Sequence, residues 1–479
     1  MGCDRGGGAG DLDISGLSAD SREVRPGYLF AALPGRRFNG LDFVGDALEH
    51  GAVAVLAGTG AELGEARVAL VTDANPRRRL ALMAARFYGA QPDIIAAVTG
   101  TSGKTSVADF TRQIWRRMGY PAASLGTLGV LGASVNGRVP LTTPEPVALH
   151  RILAELAAGG VTRLALEASS HGLDQCRLDG VRVTAAAFTN LSREHLDYHP
   201  TPQAYLKAKL RLFDEVMAPG GVAVLNVDAA DFELLRQVCQ RRGHRIVTYG
   251  ANGAELRLVG RQSTPSGQRL RLEITGVTHE LELALVGAFQ AWNVLCALAL
   301  VVACGADPEA AFAALSGLVG VPGRMELVAR HPSGAPVFVD YAHKPEALAQ
   351  ALKAMRPEVS GRLRVVFGCG GERDPGKRPM MGRVAAELAD EVIVTDDNPR
   401  NEDPAAIRRA VLEACPGATE IGARGAAIRA GLEGLGADDA LVVAGKGHER
   451  GQVVGAETLP FEDAAEVRAA IAEIADLRS

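Results

Sequence analysis

The sequence predicts an α/β protein of three domains, each a sheet with helices packed on it. Three observations lead there. The chain has 479 residues, which at the usual domain size suggests about three domains. Apolar runs of strand length alternate with helical patterns through its middle, as in a mostly parallel sheet covered on both faces. In the last third one design recurs: an apolar strand running into a polar motif, as "APVFVDYAHKP", "RLRVVFGCGGERD", "DEVIVTDDNPR" and "ALVVAGKGHE".

The first segment, residues 1–88, reads as a small α/β unit. "YLFAAL" (Tyr28–Leu33) and "GAVAVLAG" (Gly51–Gly58) are expected strands around a helix at Phe43–Glu49. "DANPRRR" supplies turn residues before a helix through Phe87, and "GAQPD" (Gly89–Asp93) reads as a linker. The second segment, 89–322, opens on the β-branched run "IIAAVTG" and continues through "RLALEASS", "AAAFTNL" and "GVAVLNVD". Arg257–Leu285 alternates apolar and polar residues and is expected to be an antiparallel appendage. "GLVGVPGRME" marks the boundary to the third segment, 323–479. Ligands of open α/β sheets sit beyond the carboxyl ends of the strands, so its four polar motifs are expected to line one crevice.

Composition narrows the function. Hydrophobic residues make up 47% and charged residues 22%, with a formal net charge of −5. A general electrostatic grip on nucleic acid is therefore not expected. The 7 cysteines are scattered with no CxxC pair, which suits reduced thiols in a cytoplasmic protein. No apolar h-region opens the chain, and no uninterrupted apolar run is long enough to span a bilayer, so neither secretion nor membrane insertion is expected.

"VTGTSGKTS" (Val98–Ser106) follows a strand and reads as a phosphate loop, a variant of the usual P-loop because Val98 stands at the first glycine position. The physics of the loop is retained. Backbone N–H groups of Gly100, Thr101, Ser102 and Gly103 precede a helix N-terminus carrying Lys104, Thr105 and Ser106. Lys104 suits a nucleotide phosphate, and the Thr105 hydroxyl suits Mg²⁺. A kinase, a motor, a transporter ATPase or a ligase could use such a loop.

The spelling Gly-Thr-x-Gly-Lys-Thr after a strand resembles the Mur ligase family, whose ATP-dependent members add amino acids to the peptide of a cell-wall nucleotide precursor. "LSADSREVRPGYLFAALPG", "LTTPE", "LEASSHGLDQCR", "FTNLSREHLDYH", "AKLRLF", "GRME", "DYAHKPEAL", "FGCGGERDPGKRPMM", "DDNPR" and "AGKGHE" match in order the subgroup that adds the third residue. The resemblance covers nearly the whole chain. It implies a uridine-nucleotide-binding first domain, a central P-loop ATPase domain and a Rossmann-like C-terminal domain. It also implies ATP as co-substrate, two Mg²⁺ ions and an acyl-phosphate route.

Residue roles follow from the same resemblance. Glu167 is implied as a magnesium ligand beside the ATP phosphates, with His195 serving a second ion. Lys209 is implied to be carbamylated by CO₂, which turns a cation into an anionic oxygen ligand. Read without the resemblance, Lys209 is a helix lysine indistinguishable from Lys207. His195 and His199 could also suggest zinc, but no Cys or Glu at metalloprotease spacing supports it. Asn293 is implied at the adenine, beside Gln290 where Asn is more usual. Asp340 is implied near the ribose, and Arg324 at the phosphates, with an interdomain salt bridge as the alternative for Arg324.

For the UDP-MurNAc-dipeptide, Ala19, Ser21 and the turn Gly35, Arg36, Arg37 and Phe38 are implied at the uridine end. Thr142, Thr143, Ser169, Gln175 and Arg177 are implied at the muramoyl peptide. "DDNPRNEDP" is expected to choose the amino acid. Arg400 offers a planar fork for a carboxylate, with Asp397 and Asn398 pairing with an ammonium and Pro399 between them. The diaminopimelate-adding members share this spelling, so meso-diaminopimelate is implied, with Arg373 on its other carboxylate and Gly445 and Glu449 completing the pocket. The alternatives are lysine as the added residue, a folylpolyglutamate synthetase-like ligase, and a P-loop ATPase that joins nothing.

Overall fold

The protein is represented by a computed structural model that describes residues 12–35, 38–64, 68–135, 139, 141–192, 198–253, 255–264 and 267–476. It divides into two compact units. One runs to Thr248 and includes Cys296–Asp307, and the other comprises Tyr249–Leu295 and Pro308 onward.

The first unit holds two sheets. The smaller has four parallel strands in sequential order, β1 (Gly16–Ser18), β2 (Tyr28–Ala31), β3 (Ala54–Gly58) and β4 (Ala69–Asp73). Two of these were legible as apolar runs. β1 is three residues long and every residue of β4 is only half-buried, so neither carries a strong pattern. The helix Pro76–Tyr88 begins with Asn75 accepting the Arg78 N–H at 3.0 Å and proline in its first turn, a start signal written in the sequence. Its residues Leu80, Ala81 and Ala84 are fully buried.

The larger sheet of this unit contains β5 (Ile94–Thr99), β6 (Ala122–Gly126), β7 (Gly129–Leu131), β8 (Arg163–Glu167), β9 (Val183–Phe188), β10 (Val222–Asn226) and β11 (Arg245–Gly250). Their spatial order is β11-β10-β9-β5-β8-β6-β7. It is parallel from β10 to β6, with β7 antiparallel at the edge. Register decides what meets at its carboxyl end. Val98 pairs with Glu167, Thr99 with Phe188, and Leu125 with Leu166. The loop after β5, Glu167, Gly126 and Thr189–Asn190 therefore come to one place although they lie up to 90 positions apart.

The second unit contains the antiparallel meander β12 (Leu256–Thr264), β13 (Gly267–Ile274) and β14 (Val277–Leu283), where an appendage is expected. Its main sheet is built from β15 (Glu326–Arg330), β16 (Pro336–Asp340), β17 (Leu363–Phe367), β18 (Glu391–Val394), β19 (Thr419–Glu420) and β20 (Ala440–Ala444), in the order β15-β16-β20-β17-β18-β19. All are parallel except β15. Every residue of β17 and β20 is buried, and both read as apolar runs rather than alternating ones, broken only at Arg364, whose guanidinium is spent on Glu391 and the Gly431 and Glu433 carbonyls. Asp340 and Phe367 each pair with Ala444, and Phe367 pairs with Val394. The four polar motifs thus leave the sheet at one level. A hairpin of β21 (Gly451–Val454) and β22 (Glu457–Pro460) follows the last of them.

Among the described residues no helix is long and apolar enough to cross a membrane. Six cysteines are free and buried, and Cys3 lies outside the described residues.

Candidate functional site

In the first unit the Gly100–Gly103 loop is shaped by its neighbours. Gly100 has φ +140°, and a Cβ there would lie 2.0 Å from the Thr189 hydroxyl, so only glycine fits. Asn190 clasps the Ser102 peptide from both sides. Its Oδ1 accepts the Ser102 N–H at 3.0 Å and its Nδ2 donates to the Ser102 carbonyl at 3.2 Å. Thr189 Oγ1 donates to the same carbonyl at 2.7 Å. Lys104 folds back over the loop, donating to the carbonyls of Gly100 and Thr101 at 2.9 and 2.8 Å. Thr105 and Ser106 begin the helix Lys104–Arg117 and are buried.

Glu167 ends β8 with 1% exposure. Its Oε2 accepts from the Thr105 hydroxyl at 3.1 Å and the Thr127 hydroxyl at 3.3 Å, and its Oε1 from the Thr127 N–H at 2.8 Å. Among the described residues no cation lies within ion-pair distance of it. A buried carboxylate facing hydroxyls and no cation is a hard oxygen site that suits Mg²⁺. No group of three or more His, Cys, Asp or Glu side chains gathers as a metal site among the described residues. His195, the expected ligand of the second ion, lies outside them, as do Arg36 and Arg37.

Gly126 forms the floor of this carboxylate niche, since a Cβ on it would lie 2.0 Å from Glu167 Oε1. Gly126→Ala is expected to displace the carboxylate by roughly 1 Å and lower turnover by about 10²-fold. The accompanying loss of stability should be only about 1–3 kcal/mol. Steady-state rates with a thermal melt check this, and wild-type turnover would show that the carboxylate position is unimportant.

Lys209 is not the surface lysine that the helical pattern alone suggests. It is 1% exposed, and Nζ donates to the Gly100 carbonyl at 2.7 Å and lies 4.3 Å from the Tyr205 ring centroid. The helix Pro202–Arg211 that carries it starts on a Thr201 cap and passes into a π turn at Leu212–Val216.

Around the same strand end stand Thr142, Thr143, Ser169, Gln175 and Arg177. The Thr143 hydroxyl donates to the Glu167 carbonyl at 2.8 Å and accepts the Ser169 N–H at 3.0 Å. Thr142 meets Thr127 hydroxyl to hydroxyl at 3.0 Å. Arg177 donates to the Thr143 carbonyl and to Gln175, each at 2.8 Å, and pairs with Glu145. The Ser169 hydroxyl caps the following helix by accepting the Gly172 N–H at 3.1 Å. Ala19 and Ser21 follow β1, Ser21 opening a 3-10 turn at Ser21–Glu23, and Gly35 and Phe38 lie between β2 and β3. Ser21 is buried there, and Phe38 is 68% exposed beyond a turn closed by Gly35 donating to the Phe38 carbonyl.

In the second unit Asn293 lies on the helix Phe289–Ala303 and donates to Gln290 Oε1 at 3.0 Å, which gives the unusual glutamine an orienting duty. Asp340 accepts the N–H groups of Met325 and Ala342 at 2.7 and 2.9 Å. Burial raises its pKa, opposed by the nearby Arg324 cation. Arg324 makes no salt bridge among the described residues. It lies 4.8 Å from the Tyr341 ring centroid, and its buried Nε is without a partner.

The motifs after β17, β18 and β20 converge as expected. Arg400 occupies the left-handed region at φ +54°, costly for a residue with a Cβ and typical of functional sites. Its N–H donates to the Val453 carbonyl at 3.0 Å and its own carbonyl accepts from Gly455 at 2.7 Å, so the strained residue is held on both sides. Nη1 donates to the carbonyls of Gly371 and Asn398, at 2.7 and 3.3 Å. Nε and Nη2 have no hydrogen-bond partner among the described residues, which leaves one edge of the fork for a carboxylate. Gly371 cannot be larger, because a Cβ would lie 1.9 Å from the Pro399 carbonyl. Arg373 stands exposed on the same loop.

Asp397 is buried with no hydrogen-bond partner for its carboxylate among the described residues. Burial raises its pKa, opposed by Arg424 and Lys446. Gly445 leaves it room, since a Cβ there would lie 2.8 Å from Asp397 Oδ2. Glu449 is raised by burial but ends below the usual range, because Asn398 donates to it and Lys446 lies beside it.

Both acceptor positions of Asn398 Oδ1 are filled, by Lys446 Nζ at 3.1 Å and the Val453 N–H at 2.9 Å. Turning the amide over would set its NH₂ against these two donors, so the network fixes its orientation. Thr127, Asn190, Tyr205, Lys446 and Arg424 escaped sequence reasoning. Asn190 and Lys446 lie inside motifs that stood out, yet spacing gave neither a contact.

Sheets and sites of this kind define a class. The model described as "Mur ligase family, catalytic domain" matches residues 13–88, "Mur ligase middle domain" matches 98–301, and "Mur ligase, glutamate ligase domain" matches 323–447. The chain belongs to the Mur ligase family and has its three-domain architecture. It is 52% identical over 463 residues to the UDP-N-acetylmuramoyl-L-alanyl-D-glutamate–2,6-diaminopimelate ligase of Mesorhizobium japonicum, covering 97% of this chain and 96% of the relative. The ligase of the same name from Bradyrhizobium diazoefficiens is 53% identical over 96% of this chain and 95% of its own. A solved structure of a ligase of that name superposes with a TM-score of 0.70 at 35% identity, covering 96% of this chain and 95% of that one.

Proposed function

We propose that the chain joins meso-diaminopimelate to UDP-N-acetylmuramoyl-L-alanyl-D-glutamate at the expense of ATP, in peptidoglycan precursor synthesis. The observation that carries this reading is the pairing of a half-engaged guanidinium, Arg400, with an unpartnered buried carboxylate, Asp397. That pair complements the carboxylate and ammonium of a remote amino-acid head. Lysine would present the ammonium and leave the Arg400 fork unmet.

The reaction needs an activated acid, because a carboxylate oxygen is a poor leaving group. The γ-phosphoryl of ATP passes to the D-glutamate side-chain carboxylate, the diaminopimelate amine attacks the acyl phosphate, and inorganic phosphate leaves. Gly100–Ser106 form the P-loop of this reading, with Lys104 released from its two carbonyls to hold phosphate. Thr105, Glu167, His195 and carbamylated Lys209 would hold two Mg²⁺ ions. When bound, these supply charge neutralisation between two anions that must approach each other. Arg324, Asn293 and Asp340 serve ATP, while Thr142, Thr143, Ser169, Gln175 and Arg177 hold the muramoyl peptide. Ala19, Ser21, Gly35, Arg36, Arg37 and Phe38 serve the uridine end. Arg373 takes the carboxylate beside the reacting amine, and Glu449 shares the remote ammonium with Asp397. The domain limits 1–88, 89–322 and 323–479, with a Rossmann-like third domain, fit this division of labour.

Phosphate release with ATP, purified precursor and one amino acid at a time tests the reading. Release that depends on meso-diaminopimelate is expected. Release with lysine alone would reassign the amino acid, and equal release without any amino acid would leave an ATPase.

A further inference from the structure

Lys446 lies in the last strand-end motif with 0% exposure. Nζ donates to Asn398 Oδ1 at 3.1 Å, Glu449 Oε2 at 3.0 Å and the Gly451 carbonyl at 2.7 Å. Among the described residues its partners are three acceptors, which take up the three N–H bonds of a lysine head. It has no remaining bond for a substrate, and its work is done through its neighbours.

Two consequences follow from those bonds. The first concerns Asn398. Its oxygen is filled by Lys446 and by the Val453 N–H, and its Nδ2 donates to Glu449 Oε2 at 2.9 Å. Only one N–H of that side chain remains to offer, so an incoming ammonium must be met by carboxylate oxygen from Asp397 and Glu449. The second concerns charge. Asp397 and Glu449 bring two negative charges to the pocket wall, and Arg400 brings one positive charge. Arg424 is matched by Asp463, both fully buried and joined at 2.6 and 2.8 Å, so that pair adds nothing net. Lys446 sets a positive charge against Glu449, while Lys377, whose Nζ donates to the His343 carbonyl at 2.9 Å, also acts on Asp397. Removing Lys446 would leave the two carboxylates less balanced, and a more negative wall favours a bare ammonium over a zwitterionic head.

We propose that Lys446 is a positioning residue for amino-acid selection: it locks the Asn398 amide as a donor and balances the pocket charge, so that a head bearing both ammonium and carboxylate is preferred to one bearing either alone. The proposal rests on the diaminopimelate reading above.

Three amino acids separate the contributions in the full-length protein with ATP and precursor. They are meso-diaminopimelate, L-lysine, which lacks the remote carboxylate, and 2-aminopimelate, which lacks the remote ammonium. In the wild type both single-charge analogues should lose kcat/KM relative to meso-diaminopimelate. An analogue used as well as meso-diaminopimelate overturns the preference for a head bearing both charges. In Lys446→Met the KM for diaminopimelate should rise by about 30-fold with the KM for ATP unchanged, and preference for diaminopimelate over lysine should fall by about tenfold or more. The double variant Lys446→Met/Glu449→Gln removes one charge of each sign and should recover part of that preference, which a merely structural role would not produce. Unchanged KM and preference in Lys446→Met would overturn the proposal. So would a double variant no more selective than the single one. Should Lys446→Met fail to fold, Lys446→Gln, which keeps a hydrogen-bond donor without the charge, is read by the same KM and preference. A wild type that makes no use of diaminopimelate would instead remove the functional reading, a distinct result.

Discussion

Alanine at Lys209 is expected to lower turnover by about 10²–10³-fold, the range for losing one preorganised electrostatic group at a reacting centre. The side chain lies against the loop that would carry ATP phosphate, with Nζ on the Gly100 carbonyl and 1% exposure. Two roles fit that location, and the variant separates them. As an amine, Lys209 anchors the loop. As a carbamate it gains a carboxylate: the neutral amine bonds the carbon of CO₂ through Nζ and gives up a proton. That carboxylate would supply a hard oxygen donor beside the Gly100 loop. A short-chain carboxylic acid added to Lys209→Ala should partly restore turnover if the carbamate role holds. Loss without restoration would leave loop anchoring, and full activity without added acid would refute both. Rates measured with and without acid, beside a melt confirming the fold, provide the answer.

Arg400→Ala is expected to raise the KM for diaminopimelate by about 10²-fold, within the span measured for truncating one member of a hydrogen-bonded charge pair. The KM for ATP should change little. Alanine adopts φ +54° no more readily than arginine, so the backbone penalty is common to both and the difference reports the guanidinium. Arg400→Lys should not rescue, because a point charge on a flexible stem cannot present two parallel N–H groups. Arg400→Gly relieves the backbone strain and should be more stable than the alanine variant yet equally poor with diaminopimelate. Unaltered diaminopimelate kinetics in Arg400→Ala would end the idea of a carboxylate clamp.

Element type was largely legible along the chain because buried parallel strands need apolar runs, as in "ALVVA" and in "LRVVF" with its one buried arginine. The elements that escaped lack that signature. β1 has three residues, β4 is half-buried throughout, and β19 has two exposed residues paired with β18. The glycine loop and the Asp-Asn-Pro-Arg stretch were legible for another reason. Their chemistry depends on residues adjacent in the chain, so it is spelled locally.

Contacts between distant positions were not spelled locally, and there the fold had the deciding voice. Lys209 and Lys207 are equivalent as text. Helical phase against the sheet buries one and leaves the other half of the pair unremarkable. Asn398 is a free amide as text, and the strand-end motif and hairpin after β20 bring Lys446 and Val453 onto its oxygen. The sequence by itself determined which chemical groups this protein owns and which strand ends carry them. Tertiary structure alone decided which of those groups are already spent on one another and which are left for a ligand, because hydrogen-bond capacity is finite and is used up by neighbours that strand register, not chain order, brings within 3 Å.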